Sequence, residues 1–185
     1  MNEHGIPGAP EGFTAFGVAA DWPQSRQVTG HGHSRLSGDA HVYLWYGSPH
    51  FDPEVEHVTV CSASSGNPEA EEALRRGFED YFHIDRAPWT SLPAPEPVTV
   101  TADGKPVVCE LWRDSGRRCW VARGRAGAME LVLSGSGIDP EGLGLVSVSD
   151  LTCFSGHFGF HGAQASRTPA EHNARKEVDR AETPA

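Results

Sequence analysis

The chain has 185 residues, 38% of them hydrophobic, with 25 acidic against 15 basic side chains and a formal charge of −10. That is enough apolar material for one domain with a core, and too acidic a body for sequence-independent nucleic-acid binding, which needs clustered Lys and Arg. No run approaches the roughly 18 apolar residues of a membrane span, the start MNEHGIPGAPEGF lacks an apolar signal segment, and Cys61, Cys109, Cys119 and Cys153 stand at no zinc spacing, so a cytoplasmic protein with reduced thiols is expected.

Residues 1–12 are rich in Gly and Pro and are expected to be flexible, ahead of a single domain over 13–154. Phe13 to Ala20 reads as a weak first strand, and Gln24 to Asp39, polar and Gly-rich, as a loop. His41 to Gly47 (HVYLWYG) is apolar or aromatic on both faces, which suits a strand covered on both sides. Glu56 to Cys61 follows as another strand, with Val58 and Val60 on one face. Asn67 is a good helix cap, Pro68 suits the first helical position, and Glu69, Glu71 and Glu72 favour the positive end of the dipole. Ala70, Leu74, Phe78 and Tyr81 then form a stripe at helical spacing, joined by Ala73 and Phe82, while Glu71–Arg75 and Glu72–Arg76 are spaced as i,i+4 pairs.

Residues 97–133 read as four strands of an antiparallel meander, punctuated by Asp103-Gly104 and Ser115-Gly116, because Gly tolerates the positive φ of a tight turn. A three-residue turn over Asp114 to Gly116 predicts Val107, Cys109 and Leu111 on one face with Cys119, Val121, Met129, Leu131 and Leu133. Leu145 to Val148 is a last strand, and residues 155–185 are expected to be a disordered polar tail. The fold class expected is α+β: a curved or barrel-like antiparallel sheet of six to eight strands, with one main helix packed on a face.

Three groups of residues invite a functional reading. Ten histidines is a high count, and His31, His33 and His41 are candidate ligands for zinc, copper or nickel, with His50 and His57 nearby; the competing reading is exposed loop histidine. Cys61 stands before a Ser/Gly loop and a helix start, where a thiolate nucleophile is sometimes held, with His57 as its one nearby base; an ordinary buried Cys competes. Trp112, Arg113, Arg117, Arg118 and Trp120 form a basic, aromatic hairpin of the composition found at protein-docking hot spots, and equally of a strand edge that resists aggregation. Tyr43, Trp45 and Tyr46 are candidates to line an apolar cavity if the sheet closed around a small ligand, though not all from one face of the strand; core packing competes.

GxSxG, P-loop and GxGxxG motifs are absent, so no cofactor is implied. The leading expectation is therefore a small acidic partner-binding or regulatory module without catalytic activity, docking another protein, self-association being left open. A metal- or cysteine-dependent enzyme built on the His-rich half, or a small-ligand domain, is the alternative.

Overall fold

The computed structural model describes residues 6, 8–19, 28–34, 40–47, 54–82, 92–114, 116, 118–151 and 155–160, with strands 28–34 and 155–160 described by their backbone. It contains ten strands and one helix: β1 (Ala15–Val18), β2 (Val28–Ser34), β3 (His41–Gly47), β4 (His57–Ser64), α1 (Pro68–Phe82), β5 (Glu96–Ala102), β6 (Lys105–Asp114), β7 (Cys119–Ala126), β8 (Met129–Ser136), β9 (Gly144–Val148) and β10 (Ser155–Phe160).

The strands form one sheet in the order β1-β9-β5-β6-β7-β8-β4-β3-β2-β10. Eight of them curl into a nearly closed barrel, because β1 returns to pack against β3 and β4, where the Phe16 N–H donates to Ser62 Oγ at 2.9 Å. Beyond β3, β2 and β10 continue the sheet as a flank. The sheet is mixed, since β5 pairs parallel with β9 and β2 parallel with β10. The barrel-like sheet of eight strands with one helix is as expected, but the sheet is mixed where an antiparallel one was expected, and the two flanking strands extend it to ten.

The extra strands fall where composition argued for irregular chain. Residues 28–34 lie within the stretch read as a loop, and 155–160 lie beyond the boundary drawn at 154. Both are Gly-rich; β2 pairs with the next strand, β3, and β10 pairs with β2, far away in sequence. Within the N-terminal segment, Ile6 is buried in the barrel core, and the Ala9 N–H donates to the Ile6 carbonyl at 3.0 Å.

Hairpins β5–β8 form as the turn chemistry predicts. Asp103 (φ 49°) and Gly104 (φ 73°) make a two-residue turn between paired Ala102 and Lys105, and Gly127 (φ 61°) opens another between Ala126 and Met129. The β6–β7 turn differs. Asp114 pairs with Cys119, leaving four residues between them, with Arg118 at φ 60°. This places Leu111 opposite Ala122 and Cys109 opposite Gly124, so Cys119 and Val121 lie on the other face from Cys109 and Leu111. A register change of one residue moves every side chain of a strand across the sheet.

Two cores result. The barrel interior holds Val42, Leu44, Tyr46, Val58, Val60, Val100, Leu111, Trp120, Leu131 and Leu133. The second core, between the outer face and α1, joins Tyr43, Cys61, Cys119, Val121 and Val132 to Ala70, Leu74, Phe78 and Tyr81. Asn67 caps the helix, its Oδ1 accepting from the Glu69 N–H at 2.9 Å, and its Nδ2 donates to the Ala40 carbonyl at 3.0 Å. One charge of the helix serves the sheet: Glu71 pairs with Arg123 of β7 at 2.7 Å, not with Arg75, which Glu72 and Glu79 hold instead.

Candidate functional site

The histidines follow from strand pairing. In β2 and β3, His33 is paired with His41 and His31 with Tyr43. In β10 and β2, His157 is paired with His31 and Gly159 with His33. Six positions on three adjacent strands therefore form a block of two rows: His157, His31 and Tyr43 in one, Gly159, His33 and His41 in the other. Paired residues on neighbouring strands share a face, as do residues two apart on one strand. That face is the one bearing α1, because Tyr43 belongs to the helix-side core. His50 lies outside the described residues.

The described border of this block is aromatic and charged. His41 is 8% exposed, and its ring meets Tyr43 edge-on at 5.8 Å. Tyr43 is stacked on Trp45 at 5.7 Å, and its hydroxyl donates to the Glu69 carbonyl at 3.3 Å, which ties the block to the first turn of α1. Burial holds the Tyr43 hydroxyl protonated well beyond its usual range. The Arg76 guanidinium lies 5.8 Å from the Tyr43 ring centroid, and Glu72, held down to about 2 by its hydrogen bonds to Arg75 and Arg76, keeps Arg76 paired. Among the residues whose side chains are described, no three His, Cys, Asp or Glu gather to hold a metal.

Cys61 and His57 do not form a catalytic pair. Both face α1, but they stand four residues apart on β4, about 13 Å at the rise of a strand. Cys61 is 1% exposed, and burial pushes its thiol up to about 12, opposite to what a nucleophile requires. His57 is engaged elsewhere: its Nδ1 lies 2.7 Å from the Val55 carbonyl and its Nε2 2.6 Å from the Tyr81 hydroxyl. A carbonyl only accepts, so Nδ1 carries a proton, and Nε2 shares a hydrogen bond with the Tyr81 hydroxyl. This is a buried link between β4 and the end of α1.

The hairpin residues are dispersed. Trp120 is 1% exposed inside the barrel, where its indole N–H donates to the Ile138 carbonyl at 2.7 Å. Trp112 lies on the opposite face, edge-on to Phe78 at 5.2 Å beneath the helix. Arg113 bridges Glu96 at 3.0 Å and Asp139 at 2.9 Å, while Arg118 lies 4.0 Å from Glu56. Arg117 lies outside the described residues. Trp120 is thus a core residue, Trp112 is half-buried against the helix-side core, and the described arginines of that group have acidic neighbours. Tyr43, Trp45 and Tyr46 divide in the same way, with Tyr46 in the barrel interior and the other two on the helix side, so they do not line one cavity.

The sequence reading weighed His31, His33 and His41 but did not bring His157 to them, because nothing in the sequence foretells a parallel pairing with a strand so distant. Comparison of the chain with family models, curated proteins and solved structures returns no match. Among the described residues, no helix is long and apolar enough to cross a membrane.

Proposed function

We propose that the protein binds a divalent transition metal through His31, His33 and His41. The observation that carries this reading is the strand register, which pairs His33 with His41 across β2 and β3 and sets His31 two residues along the same strand. Backbone spacings of about 5 Å across strands and about 7 Å along one set these three histidine positions side by side on one face of the sheet. An all-imidazole donor set suits zinc, copper or nickel and disfavours calcium or magnesium, which take oxygen ligands. The acidic body adds long-range attraction for a cation.

The test is metal content of protein made without a polyhistidine tag, loaded with zinc, desalted and examined by native mass spectrometry. One ion per chain is expected, lost in the His31→Ala/His33→Ala double variant and weakened at least tenfold in His41→Ala. A wild-type chain that keeps no zinc after desalting overturns the reading.

A further inference from the structure

We infer that the chain pairs face to face with a second copy of itself through the outer surface of β6 and β7, with Glu110 of each copy bound to Arg125 of the other. This association needs none of the histidines. Helix α1 packs on β4, β7 and β8, and on β6 it meets Trp112, which lies edge-on to Phe78. Farther along that strand Val108 is 68% exposed. Glu110 is exposed as well, as are Thr99 and Pro97, which face these two residues from β5. The pairing of β6 with β7 ends at Cys109 and Gly124, although β6 runs on to Lys105 and β7 to Ala126. A groove of about 530 Å³ opens there, with Pro97, Val108, Glu110, Arg123 and Arg125 in its lining.

The occupant is identified by how the charges of this face are shared out. Glu110 stands opposite Arg123, but the Arg123 guanidinium reaches Glu71 of α1 at 2.7 Å and Glu130 of β8 at 2.9 Å. Arg125 stands opposite Glu130, but that carboxylate is held by Arg123 and by the Gly66 N–H at 3.3 Å. Arg125 donates to Ser65 Oγ instead. Among the described residues, no cation pairs with Glu110 and no carboxylate with Arg125. One surplus acid and one surplus base therefore share a face, one strand and two residues apart, with an exposed valine beside them. A purely acidic or purely basic partner would satisfy one and repel the other. A second copy satisfies both. In a face-to-face pair the two-fold axis lies parallel to the sheets, and it exchanges the ends of any line it bisects at right angles. An axis bisecting the Glu110–Arg125 diagonal sets each carboxylate against the other copy's guanidinium, the reciprocal contact of an isologous interface. It follows the opposite diagonal of the same four positions, through Val108, and so brings the two exposed valines together. The fourth position, Arg123, also falls near the axis, with its charge already offset by Glu71 and Glu130. Two charge-assisted pairs then rim an apolar contact, and the strands of the two copies cross at a steep angle, as in orthogonal sheet packing.

The experiment is sedimentation equilibrium of the full, tag-free chain over a wide range of protein concentration, with a chelator present so that metal cannot join two copies. The wild type should show a monomer–dimer equilibrium. Glu110→Arg and Arg125→Glu each set like charges against one another across the axis, and each should weaken the dimer at least tenfold. Both side chains are exposed, so circular dichroism and the urea midpoint should stay near those of the wild type. An equimolar mixture of the two variants should associate about as tightly as the wild type, because every opposed pair then joins opposite charges. The double variant Glu110→Arg/Arg125→Glu should regain the homodimer for the same reason. A wild type that stays monomeric at every concentration would overturn the proposal and leave this face to a different protein. A dimer indifferent to both reversals would place the contact elsewhere on the molecule and overturn it too. Two weakened variants whose mixture and double variant fail to associate would overturn the reciprocal pairing.

Discussion

The two sides of the barrel are built on different principles. In the β5–β8 meander, the buried inward side chains are Val, Leu, Trp, Met, Ala and Cys, tight turns set the hairpins, and α1 covers part of the outer face. In the flank, β2 reads VTGHGHS and β10 SGHFGF, with glycine and histidine where the meander has branched aliphatics. Apolar burial specifies register in the first region because a one-residue slip would expose a whole row. In the second, Gly and His offer no such apolar row, and backbone pairing sets histidine positions side by side. Apolar packing is concentrated in the meander, and histidine in β2 and its neighbours.

Substitutions test this division, beginning with the core. Trp120→Ala, which empties the largest side chain of the barrel interior and orphans the Ile138 carbonyl, should cost about 3–5 kcal/mol in urea unfolding. A loss of under 1 kcal/mol would mean the meander is not the stabilising region. Zinc at a hundredfold excess over its dissociation constant should raise stability by about 2.7 kcal/mol, and that gain should vanish in the His31→Ala/His33→Ala variant and on adding a chelator. Gly124→Ala should cost about 1–3 kcal/mol through overpacking, because the new Cβ meets Cys109 Sγ; adding Cys109→Ala should recover most of it, and additive losses would refute that contact.

Smaller effects concern the helix. Asn67→Ala removes both the cap and the bridge to Ala40 and should lower the unfolding free energy by about 1 kcal/mol. The acid limb should be shallow at first. Glu72 has its folded-state pKa depressed from 4.5 to about 2 by Arg75 and Arg76, so its contribution is fully present above 4.5 and is lost as pH falls through about 2. Glu72→Gln should flatten that part of the stability–pH profile, an effect kept small by the solvent exposure of the pairs.

The sequence made the helix and meander legible because their signals are local. The Asn67 cap, the Ala70–Leu74–Phe78–Tyr81 stripe and the Asp103-Gly104 turn each act over a few residues, and each appears as expected. The register of β7 was not legible, for a physical reason. Cys119, Trp120, Val121 and Ala122 are all buried, two facing the barrel and two facing the helix, so the strand has no alternation to reveal its faces. Trp112 and Trp120 thereby looked like a surface. The flank was missed because both strands have a Gly-rich composition that resembles loop, and β10 in addition pairs at long sequence separation. Its three sequence-adjacent histidines were visible as residues, but their fourth neighbour became visible only through the topology.

The joining of β2 to β10 also bears on the route by which the chain folds. Hairpins β5–β8 bring together residues a few positions apart, whereas the β2–β10 ladder closes a loop of more than 120 residues. Loop-closure entropy must be met before a distant contact returns any energy, so the meander is positioned to nucleate and the flank to arrive last. A chain emerging from synthesis would hold β2 without its outer neighbour until residue 160 was free, leaving that strand's hydrogen-bonding edge open for most of translation. Histidine and glycine, in place of the aliphatic residues that make edges adhesive, keep that waiting strand from pairing with the wrong partner.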